Sequence, residues 1–295
     1  MKEYIYKVAD GCFSVVLPAA WEVEALLASF HSFKVSSSQP SDRLFRLELT
    51  EKPIPSLTET AETIEETCND LGHVRVLDAG KKLQIEISYD DLQQRRHVLV
   101  VNREFTEGKA FILSQEPSAS IALSSMLRML FAQTIIRHKG ISVHASCVTR
   151  NGKGYLFLGK SGTGKSTHSE QWMQTFPDCR LLNDDNPAIR LIDDEVRVFG
   201  TPWSGKKPCY KAESYPVGGI VRLYQATVNQ FVPMDDTLAF STLLPSCSVF
   251  RRDINLQNVL FDLLVEVVER VPMGILKCLP DREAARLCYE NLRDV

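Results

Sequence analysis

The chain has 295 residues, 44% of them hydrophobic, with 34 Lys and Arg against 37 Asp and Glu and a formal net charge of −3. That is enough apolar material for two cores. The slightly acidic balance excludes a broad basic surface of the kind that binds nucleic acid. No continuous run of about 18 apolar residues occurs, so no membrane span is expected. The opening MKEYIYKVADG lacks the apolar segment of a secretion signal. The eight cysteines, Cys12, Cys68, Cys147, Cys179, Cys209, Cys247, Cys278 and Cys288, form no C-x-x-C pair and have no metal-site spacing. Reduced, mostly buried thiols in a cytoplasmic protein are expected.

Residues 1 to 117 read as a β-rich domain. Ile5 to Leu17 alternates around Asp10-Gly11, a hairpin-turn pair. Arg43 to Leu49 alternates cleanly, and Pro53 and Pro55 end that strand. Thr58 to Leu71 is acidic and predicts a short helix stopped by Gly72. Leu83 to Ile87, His97 to Val101 and Ala110 to Leu113 predict consecutive strands, joined by polar turns at Asp78-Ala79-Gly80 and Glu107-Gly108. His31, His73 and His97 are isolated, as surface or packing histidines are. No catalytic motif lies here, and a recognition, docking or dimerisation role is equally compatible with these residues.

A boundary falls near Gln115 to Ser118, which makes 118 to 295 the second domain. Ala119 to His138 carries Ile121, Met126, Leu127, Leu130, Ile135 and Ile136 at helical spacing. Ser118 or Ser120 can cap it, and Gly140 follows its end. It is expected to pack on the sheet of the second domain. Ile141 to Val148 reads as a strand carrying His144. The turn Asn151 to Gly154 then predicts a hairpin that brings this strand antiparallel to Tyr155-Leu156-Phe157-Leu158.

Gly159 to Thr167, GKSGTGKST, fits the phosphate-loop pattern G-x-x-x-x-G-K-[ST] at Gly159, Gly164, Lys165 and Ser166. The glycines Gly159, Gly162 and Gly164 let backbone N–H groups, together with those of Ser161, Thr163 and Thr167, turn toward phosphate oxygens. Lys165 would reach the β- and γ-phosphates, and the Ser166 hydroxyl would hold Mg²⁺. The apolar run before the loop is a buried strand, and Trp172, Met173 and Phe176 mark a helix after it that stops at Pro177.

Arg180 to Leu182 leads into Asn183-Asp184-Asp185-Asn186-Pro187. A strand followed by carboxylates is the second element of such a site. One carboxylate organises Mg²⁺ and another acts on the nucleophile. Asp193-Asp194-Glu195 is read instead as a turn between two strands, Ala188 to Ile192 and Val196 to Phe199. The loop from Gly200 to Pro208 holds Trp203, Ser204, Lys206 and Lys207. Its lysines suit an anionic substrate or a transferring phosphoryl group. A strand at Gly219 to Leu223, a helix with Leu238, Leu243 and Leu244, a longer helix at Ile254 to Val268, a strand at Gly274 to Leu276 and a closing helix complete the chain.

VHASCVTRNGKGYLFLGKSGTGKSTHS followed by LLNDD resembles the core of the HPr kinase and phosphoenolpyruvate carboxykinase superfamily. His144 lies 15 residues before Gly159, a spacing similar to that of HPr kinases. The H-x-S of His144 and Ser146 is similar to the carboxykinases, and GTPWSGKKPCY resembles carboxykinase-like bacterial proteins. The resemblance covers about Ile141 to Pro202. It implies an α+β or α/β fold, with a mixed-sheet P-loop domain preceded by the β-rich domain. It also implies ATP with Mg²⁺ (Mn²⁺ as the alternative), a functional His144 that orients an Asp or approaches the metal, and a homo-oligomer. Where HPr kinases carry an L-E-x-R-G-type signature, this chain reads KPCYKAESYPVGG, with Glu213 nearest to the metal-binding glutamate.

The combined expectation is a kinase. Lys165, Ser166, Asp184, Asp185 and His144 form the transfer site; Ser166 and one aspartate, Asp184 or Asp185, hold the metal while the other takes the acceptor's proton; and Trp203, Ser204, Lys206 and Lys207 line the acceptor side. The acceptor is a hydroxyl-bearing small molecule, peptide or protein. A nucleotide-gated regulator without phosphoryl transfer is the alternative, and a decarboxylating carboxykinase is the third reading.

Overall fold

The computed structural model describes residues 1–36, 43–54, 61–69, 72–90, 95–205 and 207–293. They form a mixed α+β protein with two large mixed sheets and few helices. The chain divides into two compact units, Met1–Thr134 and Ile135–Val295. The division falls inside the helix that starts at Ala119.

In the first unit, β1 (Lys2–Val8) and β2 (Gly11–Leu17) form a hairpin turning at Ala9 and Asp10, with φ of 46° and 58°. The turn therefore lies one residue earlier than Asp10-Gly11, and Gly11 opens β2 opposite Val8. Two left-handed residues in succession match the twist of the strands they join. After α1 (Val23–Leu26) and β3 (Lys34–Val35) come β4 (Arg43–Thr50), β5 (Glu62–Asn69), β6 (Gly72–Asp78), β7 (Lys82–Ser88), β8 (Arg96–Asn102) and β9 (Glu107–Phe111). The sheet order is β3-β1-β2-β4-β9-β8-β7-β6-β5, with β4 parallel to both its neighbours.

Two expectations fail here for tertiary reasons. The helix expected from Thr58 to Leu71 is strand β5 over Glu62–Asn69, antiparallel to β6; residues 58–60 and 70–71 lie outside the described residues. The open edge of β6 offers a full ladder of hydrogen bonds, and Thr63 and Thr67 accept the extended backbone readily. Gly72 opens β6 with φ +91° instead of stopping a helix. Glu107-Gly108 lies within β9, and the turn precedes it. There Asn102 Oδ1 accepts from the amides of Thr106 at 2.9 Å and Glu107 at 3.1 Å, while buried Phe105 adopts φ +61°.

Helix α2 (Ala119–Ile136) forms where the spacing places it. Its last residue, Ile136, joins the core of the second unit as expected, but its middle packs elsewhere. A Cβ on Gly108 would meet Leu47, Leu99 and Leu130, so the Leu130 turn of α2 lies over β9 of the first sheet. Ser120 Oγ donates to Leu26 O at 2.7 Å. With a mean hydropathy of 1.4, α2 is long and apolar enough to cross a membrane, but 72% of it is buried inside the protein, as in a core helix.

The second unit contains β10 (Gly140–Ser142), β11 (Ala145–Arg150), β12 (Lys153–Leu158), α3 (Lys165–Thr175), β13 (Arg180–Asn183), β14 (Ala188–Ile192), β15 (Glu195–Phe199), β16 (Ser214–Gln225), β17 (Gln230–Pro233), α4 (Asp236–Leu243), α5 (Ile254–Val268), β18 (Met273–Cys278) and α6 (Arg282–Arg293). The strands run β10-β14-β15-β16-β12-β11-β13, and β18 joins β16 to β17. Alternation along β12 serves two cores. Leu156 and Leu158 pack with Leu243 of α4 and Leu260 of α5, and Tyr155 and Phe157 with Trp172 of α3 and Cys288 of α6.

The strand expected from Ile141 to Val148 is broken. β10 pairs with β14 and β11 with β12, so Val143 and His144 sit at the change of partner. The amide of His144 there donates to Ser246 O at 2.7 Å. The hairpin itself forms as expected, turning on Asn151 and Gly152 with φ of 48° and 72°. Asp193 and Asp194 make the same kind of turn between β14 and β15.

Candidate active site

Four strand ends meet at one edge of the second sheet. Ala145 pairs with Leu158, which puts the start of β11 beside the end of β12. β13 is antiparallel to β11, so it runs with β12 and delivers Asn183 and the residues after it to the same edge. β16 lies parallel on the other side of β12, with Arg222 opposite Leu158.

Gly159 to Gly164 lie between β12 and α3. Gly162 and Gly164 adopt φ of +81° and +104°, a region that favours glycine. A Cβ on Gly159 would stand 3.0 Å from Thr163, closer than ordinary packing. Thr163 Oγ1 and its amide both bond Lys160 O, at 2.7 and 3.1 Å, which closes the loop. α3 begins at Lys165, so the positive end of its backbone dipole lies at the loop, where an anion is favoured.

The Lys165 ammonium donates to Gly159 O at 2.9 Å and to His144 Nε2 at 2.9 Å. An ammonium has no acceptor, so Nε2 must be unprotonated, and in a neutral ring the proton sits on Nδ1. Nδ1 faces Asp185 Oδ1 at 3.4 Å. Lysine, histidine and aspartate thus form one chain across the strand ends.

The aspartates differ in environment. Asp184 is 4% exposed; Oδ1 accepts from Ser146 Oγ at 3.2 Å and Oδ2 from the Lys207 amide at 3.3 Å. Ser146 spends its single proton on Asp184, so Ser169 Oγ, 2.7 Å away, donates to Ser146. The Asp185 side chain is 26% exposed and also accepts from Asn186 Nδ2. Asn183 sets this turn: Oδ1 accepts from the amides of Asp185 at 2.9 Å and Asn186 at 2.8 Å, while Nδ2 donates to Trp203 O at 3.0 Å.

The loop after β15 is tied to the same place. Trp203 is buried, and Ser204 Oγ donates to Lys207 O at 2.5 Å. Lys207 Nζ pairs with Glu170 of α3. A Cβ on Gly205 would lie 3.0 Å from Asp184 O, so the loop rests directly on the aspartate backbone. Lys206 lies outside the described residues. Glu213 accepts from the Tyr215 hydroxyl at 2.9 Å, and its carbonyl accepts from the Gly200 amide at 3.0 Å.

Beneath the loop, Trp172 Nε1 donates to His168 Nε2 at 3.0 Å, and the histidine ring meets Phe157 edge-on. Burial pushes the His168 pKa down to about 4, so the ring is neutral. Among the described residues no three His, Cys, Asp or Glu side chains are grouped to hold a metal by themselves.

The structure therefore brings Lys165, His144 and Asp185 into contact, and ties Asp184 to Lys207. Asn183, Ser169 and Glu170 are functional candidates that motif reading passed over. The run Asn183-Asp184-Asp185-Asn186 did carry a signal for Asn183, since Asn before a turn commonly bonds amides two and three residues on. Ser169 and Glu170 carried none, because their partners are 23 and 37 residues away.

No protein-family model matches the chain, and no curated protein sequence matches it. Among solved structures, similarity is found to the HPr(Ser) kinase/phosphatase from Coxiella burnetii, at 10% identity and a TM-score of 0.31, over 52% of this chain and 94% of that one.

Proposed function

We propose that the chain is an ATP-dependent phosphotransferase that moves the γ-phosphate to a hydroxyl acceptor. The observation that carries this reading is the meeting, at one sheet edge, of the loop Gly159 to Thr167 with the chain Lys165–His144–Asp185 and with Asp184. A nucleotide-binding loop needs no carboxylate beyond the one that holds its metal; transfer to a hydroxyl does.

The two aspartates suit different tasks. Buried Asp184 is fixed by the Ser146 hydroxyl and the Lys207 amide, whereas Asp185 opens toward solvent, where an acceptor hydroxyl can reach it. Asp184 suits a metal ligand, with Ser166. Both offer oxygen donors, and a single carboxylate plus substrate phosphates is the usual set for Mg²⁺, with Mn²⁺ as the alternative. Such an ion, when bound, neutralises charge on the β- and γ-oxygens. Asp185 is the more exposed and is the base that takes the acceptor's proton. His144 Nδ1–H, facing Asp185, orients that carboxylate. Lys165 leaves His144 and Gly159 O for the phosphates, because a polyanion is the stronger partner for an ammonium. Trp203, Ser204, Lys206 and Lys207 border the acceptor side.

Incubation with γ-labelled ATP, divalent metal and a metabolite or protein pool tests the reading. Label on an acceptor, lost in Lys165→Ala, supports it. Nucleotide binding with no label transferred under any metal overturns it in favour of a nucleotide-gated regulator. ATP consumption that depends on oxaloacetate points to a carboxykinase.

A further inference from the structure

We propose that the carboxyl end of β16 carries the subsite for the nucleoside, with the ring of Tyr224 as the surface on which the base stacks. This rests on the nucleotide reading above and adds the half of the ligand that the phosphate loop does not touch.

The strand order sets the direction of the ligand. Asp184 and Asp185 follow β13, which is two strands from β12 with β11 between them. A triphosphate lying across the loop with its γ end at Asp185 has its nucleoside end pointing the other way. The next strand on that side is β16, about 4.8 Å from β12 at ordinary sheet spacing. Open parallel strands bind ligands beyond their carboxyl ends, and β12, β16 and β18 are parallel to one another.

β16 extends past the point where β12 becomes the loop. Arg222 is the register partner of Leu158, so Leu223, Tyr224 and Gln225 run beside the loop. Gln225 Nε2 donates to Gly162 O at 3.3 Å, which ties this strand end to the phosphate cradle. Leu223 is 2% exposed and faces the core with α3 and α6, whereas Tyr224, on the other face, is 48% exposed. An aromatic ring half in solvent beside the loop offers a π face on which a base can stack. The Arg222 guanidinium lies 6.0 Å from the Tyr224 ring centroid, and Lys277 of β18 is the register partner of Tyr224. A π face flanked by two cations matches a base joined to an α-phosphate. Stacking is tolerant of base identity, so this subsite contributes affinity without choosing among bases.

The test compares MgATP with inorganic tripolyphosphate on the full chain, by calorimetry. Tyr224→Ala weakens MgATP binding roughly tenfold or more and leaves tripolyphosphate binding unchanged. Tyr224→Phe, which keeps the ring, stays within about twofold of the parent for both. Unchanged MgATP affinity in Tyr224→Ala, or an equal loss for both ligands, overturns the subsite. If the parent binds neither ligand, the nucleotide reading itself falls and takes the subsite with it. If it binds tripolyphosphate and MgATP equally well, the loop reading stands and the subsite does not.

Discussion

His144 Nε2 accepts a hydrogen bond from Lys165 Nζ at 2.9 Å, and through Nδ1 the same ring faces Asp185. Lys165 and Asp185 are therefore two ends of one chain of side chains, with the tautomer of the histidine fixed by the charge of the lysine. Replacing His144 by Gln keeps a donor and an acceptor but shortens the reach. We expect His144→Gln to lower kcat about 10- to 100-fold while nucleotide affinity changes less than about threefold. Steady-state kinetics beside direct nucleotide titration checks this, and an equal loss in both would remove His144 from the transfer step.

The aspartates are expected to separate by what they change. Asp185→Asn should bind MgATP nearly as the parent does yet lose a factor of about 10² to 10⁴ in transfer, the range of a general base. Asp184→Asn should instead weaken binding of MgATP more than of metal-free ATP. It is also expected to lower stability by about 1–3 kcal/mol, because one buried partner of Ser146 or Lys207 N is lost or reversed. Titrations with and without the metal, together with urea unfolding, distinguish the two.

Gly200 positions the loop that carries Trp203 and Lys207. A Cβ there would stand 2.2 Å from Lys211 O, a backbone atom with little room to move. Gly200→Ala should cost about 1–3 kcal/mol in urea unfolding, the usual range for overpacking. By contrast, Glu170→Gln breaks only a half-exposed pair with Lys207 and should cost less than about 1 kcal/mol. A larger loss for Glu170→Gln than for Gly200→Ala would mean the loop is held by charge and not by shape.

His97 gives the first unit a pH dependence. Its Nδ1 accepts the Leu113 amide at 3.2 Å and its Nε2 donates to Ser118 Oγ at 3.0 Å, an arrangement open only to the neutral ring. Burial holds its pKa below the usual value of 6.5 for the group, with Glu116 opposing the shift. Below about pH 6.5 the unfolded chain takes up a proton that the folded chain refuses. Stability is therefore full above that pH and falls as the pH drops through it toward the folded pKa. Urea midpoints at pH 7.5 and 5.5 should differ less in His97→Gln than in the parent. An identical pH dependence in the two proteins would assign the effect to other groups.

Local chemistry was legible in the residues themselves. Gly162 and Gly164 announce left-handed backbone, Asn151-Gly152 announces a hairpin, and alternation along Ala188 to Phe199 announces two strands; each depends on a few neighbours and takes its expected form. The helix at Ala119–Ile136 was equally plain, because its spacing is a property of the segment alone. Partnership was not legible. Glu62–Asn69 is a strand because β6 has an edge to fill, and α2 covers β9 because of a gap at Gly108. His144 owes its place to a change of partner between β10 and β11, which no local pattern encodes. The aspartate pair could be found by motif, but their separation into a buried Asp184 and a partly exposed Asp185 comes from Ser146, Lys207 and His144, residues brought in from three other segments. Backbone preference acts over a few bonds and is written in adjacent residues. Hydrogen-bond partners and burial depend on register across the sheet, and only the folded chain has a register.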